Sequence, residues 1–316
     1  MKSAARGVSR RSFLKRSAAA LAGLASAAPL FAAADEKRFD LLVTGGTVID
    51  PYHKTKRVQS IGVKGGKIVQ TAEKLEPAQA SQVLDASGLY VSPGWIDLHA
   101  HFFNMGVDAD RDVGVYAGVT TAIDPGGPRA SDFAEFRKLV EKSATRLFGF
   151  LNVSAHRGVP VHGDWALFDQ KLTIKTIADN RDVLKGVKVL SSQRHSGNLD
   201  IVPTRLAVQA ARESGTHVMA HIGVAPPLIQ DVLDLLGRGD IVTHCFKGFP
   251  GGIFHRNGRP VAELWKALER GVRLDLGHGA GSFAWEAGRH ARAARIPLHS
   301  SSTDLHKGSV NGPVWT

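Results

Sequence analysis

The hydrophobic pattern of the chain changes character at Pro93. Before it, residues 39–43, 47–50, 60–63, 67–69, 83–85 and 88–91 form short runs with alternating apolar positions, and Gly45-Gly46 and Gly65-Gly66 separate the first two pairs. A period of two predicts strands, and paired glycines between them predict tight turns, because glycine accepts positive φ. Gly45-Gly46 is not a phosphate loop: no Gly-Lys-Ser/Thr follows it, and the next segment reads as a strand. Residues 35–93 therefore read as an all-β module, the N-terminal part of a β-sandwich module and small for a self-sufficient core.

After Pro93, strands alternate with helices. Strands are expected over 95–102, 120–124, 147–154, 186–190, 217–222, 240–246, 272–277 and 297–302. Helical periodicity falls over 131–143, 203–214, 226–236, 260–270 and 283–294. Eight strands in βα alternation predict an α/β fold, a (β/α)₈ TIM-like barrel over 94–316. Active sites of that fold lie at the C-terminal ends of the strands, so metal-capable residues should gather there.

They do. The first strand runs Trp95-Ile96-Asp97-Leu98-His99-Ala100-His101. Alternation turns both histidines to one face, which makes half of a metal site. Lys188 interrupts the apolar fourth strand, His221 and His244 end the fifth and sixth, and Asp304 follows the eighth. A single histidine at a strand end is ordinarily a polar residue near the surface. A single lysine in such a strand ordinarily snorkels to water. The coincidence of six positions with five strand ends is what points to a metal site. His217 and His221 also stand at i, i+4, but no Glu follows His217, and the flanking residues favour a strand over a helical zinc motif. His278, between glycines after the seventh strand, is the candidate for substrate contact, with a turn-stabilising role equally open. His156 and Arg157 read as solvated loop residues, with an anion-holding role as the alternative. Cys245 reads as a small core residue rather than a ligand, and a single cysteine excludes an intramolecular disulfide.

Charge changes the picture only at the N-terminus. The net charge is +11, but Lys2, Arg6, Arg10, Arg11, Lys15 and Arg16, with no acid among them, fall within residues 1–34; the remainder carries +5 (11 − 6). No basic run interleaved with aromatics appears there, so nucleic acid is excluded as a partner. Ser9-Arg10-Arg11-Ser12-Phe13-Leu14-Lys15, the apolar run 18–31 and Ala32-Ala33-Ala34 match a twin-arginine export signal with its cleavage site. The expectation is a periplasmic protein. The run is shorter than the roughly 20 residues that span a bilayer, so no stable membrane anchor is expected.

With Pro93 through His101, Gly118-Val119-Thr120-Thr121, Lys188, His221, His244 and Asp304 in place, the chain resembles the amidohydrolase superfamily of metal-dependent hydrolases. Asp275-Leu276-Gly277-His278-Gly279-Ala280-Gly281-Ser282-Phe283 and Ser301-Ser302-Thr303-Asp304-Leu305-His306 are similar to its deacetylase branch, near the dihydroorotases. The resemblance covers residues 39–314. It implies two divalent ions, with zinc as the first choice, although the donor types suit manganese, iron and cobalt as well. His99, His101 and Asp304 would hold one ion, His221 and His244 the other, and N6-carboxylated Lys188 would bridge them. It further implies hydrolysis of an ester or amide in a small-molecule substrate by a metal-bridging hydroxide, with Asp304 as general acid/base. A dihydroorotase- or dihydropyrimidinase-like cyclic amidase is the alternative activity.

The chain ends at Thr316, twelve residues after Asp304. No eighth helix fits there, and neither do the C-terminal strands that the resemblance implies for the β-module. The sequence therefore also raises a C-terminally truncated, non-catalytic remnant. A homo-oligomer stays open.

Overall fold

The computed structural model describes residues 37–156 and 165–312; the segment expected to be an export signal, Arg157 and the last four residues lie outside them. The chain divides into two compact units between Ser92 and Pro93.

The N-terminal unit is a five-stranded sheet of β1 (Phe39–Asp50), β2 (Thr55–Lys64), β3 (Lys67–Ala72), β4 (Ala80–Asp85) and β5 (Tyr90–Val91). Its order is β3-β2-β1-β4, and β5 also pairs with β1. Gly65-Gly66 makes the expected hairpin turn between Lys64 and Lys67. Gly45-Gly46 does not. Residues 39–43 and 47–50 are one strand, and its register against β2 slips between Val43 and Gly46. Gly45 has φ 70°, and a Cβ there would lie 2.3 Å from Ser87 Oγ, so the bulge requires glycine. Phe39, Leu42, Leu75 and Ala80 form the core of this unit.

The second unit carries seven parallel strands: β6 (Trp95–Asp97), β7 (Val119–Pro125), β8 (Arg146–Asn152), β9 (Leu184–Ser191), β10 (His217–Ile222), β11 (Ile241–Thr243) and β12 (Arg273–Asp275). The helices are α1 (Phe133–Lys142), α2 (Gln170–Asp179), α3 (Val202–Glu213), α4 (Ile229–Leu235), α5 (Ala262–Glu269) and α6 (Trp285–Ala293). Alternation sorts the strand residues. Val187 and Val189 of β9 join the layer shared with the helices. Ile123, Phe150 and Met219 form a separate cluster inside the barrel. Helix α3 buries Pro203, Thr204, Ala207, Ala210 and Ala211, small side chains that let it approach the sheet closely.

Two elements depart from the expected layout. Helix α2 has no strong apolar period, and its start is marked by Asp169, whose carboxylate accepts from Leu172 N at 2.8 Å. The eighth barrel position is not a regular strand. Ser300 bridges Asp275 and Leu305 bridges Ala100, so an irregular segment joins the two edges of the sheet. The reason is chemical: the hydroxyls of Ser300, Ser302 and Thr303 bind the buried carboxylates of Asp275 and Asp97 and draw the backbone out of a regular ladder.

Candidate metal centre

The first expected strand is also shorter than its pattern. β6 stops at Asp97, a buried carboxylate that accepts from His99 N at 3.1 Å and from Thr303 N at 3.2 Å. His99 and His101 therefore lie just beyond the strand. They keep one face because Ala100 between them is bridged to Leu305. Their Nε2 atoms stand 3.3 Å apart, and each is 3.2 Å from Asp304 Oδ1. One ligand atom from each of His99, His101 and Asp304 falls within 4.8 Å of the others.

Lys188 is 1% exposed and sits between Asn152 of β8 and Met219 of β10 in the register. Its Nζ is 3.4 Å from His99 Nε2 and 3.9 Å from Met219 Sδ. The rings of His99 and His244 are 5.0 Å apart, and those of His221 and His244 meet edge to face at 4.4 Å. All six residues picked out at strand ends therefore meet at one end of the barrel. His244 (φ 68°) and Asp304 (φ 52°) both hold left-handed backbone, a strain that non-glycine residues keep mainly at functional sites.

Each of three histidines is turned by an acceptor on its Nδ1 side. Thr243 Oγ1 lies 2.9 Å from His99 Nδ1, Asp124 Oδ1 lies 3.4 Å from His101 Nδ1, and the Gly277 carbonyl lies 2.8 Å from His244 Nδ1. The Nε2 atoms of His99 and His101 thus face each other and Asp304. This donor set, imidazole nitrogen and carboxylate oxygen with outer partners fixing the rings, fits a divalent transition-metal ion.

The electrostatics agree. Burial lowers the His101 pKa, but Asp124 and Asp304 outweigh it and push it up to about 9, so the spot favours positive charge. Burial would raise Asp304, yet His99, His101 and His244 hold it far below the usual carboxylate range. Burial chiefly keeps His221 and His244 neutral, the latter down to about 3, which leaves lone pairs free for an ion. Burial also brings Lys188 down to about 8 against the pull of Asp304, Asp275 and Asp124.

A cavity of about 770 Å³ opens on this cluster, lined in part by Arg194, His195, His221, Lys247, Asp304 and His306. His278 is not among its lining residues. Its ring stacks on Phe283 at 5.2 Å, and its Nδ1 lies 2.9 Å from the Gly279 carbonyl. The same loop lines the cavity through Ala280, Gly281 and Ser282 instead. Cys245 is fully buried, and burial raises its thiol pKa.

Sequence reasoning passed over Asp97, Asp124, Thr243 and Asp275, whose roles depend on partners distant in the chain. It also gave no role to His195, whose Nδ1 lies 2.8 Å from Ser192 Oγ and whose ring meets His221 at 5.3 Å. The short helical turn Gln193–Ser196 directly after β9 was the available signal.

A parallel barrel with a histidine–carboxylate cluster at the C-terminal ends of its strands defines a metal-dependent hydrolase class. No family model matches the chain. It is 35% identical over 263 residues to a deacetylase of Agrobacterium fabrum, covering 79% of this chain and 64% of that protein. It is 32% identical over 285 residues to a deacetylase of Enterococcus faecalis, covering 88% and 76%. Among solved structures, an adenine deaminase matches with a TM-score of 0.79 at 33% identity, covering 87% of this chain and 76% of that one. A dihydroorotase matches with a TM-score of 0.75 at 32% identity, covering 87% and 74%. The chain belongs to the amidohydrolase superfamily, in its deacetylase branch close to the dihydroorotases. It spans 64% of the length of the Agrobacterium relative.

Proposed function

We propose that this chain is a binuclear metal-dependent deacetylase, exported by the twin-arginine pathway, that cleaves an acyl ester or amide of a small acid. The carrying observation is the convergence of His99, His101 and Asp304 beside Lys188, His221 and His244, with His221 and Asp304 lining the adjoining cavity. Divalent ions bound there would supply Lewis-acid polarisation of the acyl carbonyl and acidify water. His99, His101 and Asp304 would hold the first ion, and His221 and His244 would hold the second. Lys188, brought down to about 8 by burial, would offer a neutral amine that can add CO₂ and release a proton, giving an anionic carbamate as a further oxygen ligand.

Asp304 is the one carboxylate lining the cavity among the described residues. It is the group placed to take a proton from attacking water and return it to the leaving group. Arg194 and Lys247 line the same cavity, and no described residue makes a hydrogen bond or ion pair with either side chain. Two cations beside the reacting centre favour a substrate that keeps a negative charge. Hydrolysis of a cyclic amide is the second reading, favoured by the likeness to a dihydroorotase structure.

The test is the Zn²⁺-loaded chain against acetyl esters and N-acetyl derivatives of small hydroxy and amino acids, with their uncharged methyl esters alongside. About two ions per chain and preference for the acids are expected. Asp304→Asn should lower kcat by about 10²–10⁴. It should leave the fold intact, because Asn also tolerates left-handed backbone. Lys247→Met should raise KM for the acids about tenfold and spare the neutral esters. Sub-stoichiometric metal with no hydrolysis across the panel would sink the reading.

A further inference from the structure

Thr243 ends β11 opposite Asp275 of β12 in the sheet register. Its side chain is fully buried between Asp275 and His99. The Thr243 hydroxyl donates to Asp275 Oδ2 at 2.7 Å and lies 2.9 Å from His99 Nδ1. Asp275 Oδ1 accepts from Ser300 Oγ at 2.6 Å and from Ser302 Oγ at 2.8 Å. Asp275 Oδ2 is itself 3.6 Å from His99 Nδ1, beyond a good direct hydrogen bond.

A hydroxyl owns one proton. With that proton committed to Asp275, the Thr243 oxygen faces His99 only with lone pairs, so His99 Nδ1 must be the donor. The ring then carries its proton on Nδ1 and presents a bare Nε2 toward His101, Asp304 and Lys188. His101 and His244 meet their acceptors, Asp124 and the Gly277 carbonyl, without an intervening hydroxyl. Only at His99 does the carboxylate act through a threonine.

We propose that Thr243 and Asp275 are positioning residues: together they hold His99 as its Nδ1–H tautomer and thereby set the affinity of the first metal position. The inference rests on the metal-hydrolase reading. Asp275 gathers the hydroxyls of β11 and of the closing segment around itself, so the same carboxylate that closes the barrel also orients its most buried candidate ligand.

Two measurements on the full chain test it. In metal-free wild-type protein, long-range ¹H–¹⁵N correlation should show the His99 proton on Nδ1; a proton on Nε2 overturns the proposal, whatever the variants do. In Zn²⁺ titrations against a chromophoric chelator, Thr243→Val should bind about 10–100-fold more weakly. Thr243→Ser, which keeps the hydroxyl, should retain wild-type affinity. A folded Thr243→Val protein that binds as wild type does also overturns the proposal. If wild-type protein binds no metal at all, the hydrolase reading fails, and the tautomer still decides the role of Thr243 by itself.

Discussion

Asp304 and His244 both sit in left-handed backbone, which costs about 1–3 kcal/mol at each non-glycine residue. The surroundings hold them there. Asp304 N donates to the His99 carbonyl at 2.7 Å, and Gly279 N donates to the Thr303 carbonyl at 2.8 Å, so two loops grip the candidate ligand from either side. Gly279 itself has φ 48°, and a Cβ at that position would lie 2.4 Å from Asp304 Oδ2. Gly279→Ala should therefore destabilise the chain by about 1–3 kcal/mol in urea unfolding. It should also weaken Zn²⁺ binding measured by the same chelator competition. Wild-type affinity in that variant would mean Asp304 is free to move away from the loop. The histidine pair was readable in the sequence because an i, i+2 spacing holds one face wherever the backbone stays extended, as the Ala100–Leu305 bridge keeps it beyond the end of β6. Lys188 was readable because a lysine in an apolar run is chemically out of place. Thr243 and Asp275 were not, since an ordinary Thr and Asp acquire their role only from His99, 144 positions away from Thr243.

Between β6 and β7, one helical turn (Ala109–Val113) is held by Asp110. Its carboxylate accepts from the Ser143 hydroxyl, from Thr145 Oγ1 at 2.7 Å and N at 2.9 Å, and from Ala144 N at 3.1 Å. These donors lie where α1 gives way to β8, so one side chain pins the βα connection to the next strand. Burial would raise the Asp110 pKa, but the Ser143 and Thr145 bonds outweigh it and bring it down to about 2. A carboxyl depressed on folding stabilises the fold above its unfolded value of about 3.9, and that contribution disappears as pH falls toward 2. Asp110→Asn should thus be less stable than wild type at pH 7 by about 1–3 kcal/mol. The gap should close between about pH 4 and pH 2, followed by urea unfolding across that range. A gap independent of pH would assign the loss to packing. Element boundaries were the least readable level of the sequence. The closing segment alternates well enough to suggest a strand over 297–302, but its hydroxyls are committed to Asp97 and Asp275. Pro226-Pro227 delayed the start of α4 to Ile229, where the pattern alone placed it at 226.

For the molecule as a whole, the proposed centre is a joint between five strand positions, added to the sheet and to the side-chain bonds of Asp97 and Asp275 that already link them. Ions bound to the folded state alone stabilise it by about 4 kcal/mol at a thousandfold excess over Kd. Chelation should accordingly lower the melting temperature, and Zn²⁺ should restore it in a concentration-dependent way. Scanning calorimetry of wild type and His101→Ala separates the contributions, because the variant should show a much smaller shift. An identical shift in both would place the stabilising metal elsewhere. What the sequence determined by itself is the periodic part of this protein: two units dividing at Pro93, a barrel rhythm, and metal-capable residues at the right ends of the strands. Periodicity is a local property, set by the two-residue pleat and the 3.6-residue helical turn. Only the tertiary structure decided that Gly45-Gly46 is a bulge, that His278 stacks on Phe283 away from the cavity lining, and that Asp124 and the Thr243–Asp275 pair orient the histidines. Each of those depends on which distant side chain arrives at a given place, and that is fixed by barrel closure rather than by any neighbour in the chain.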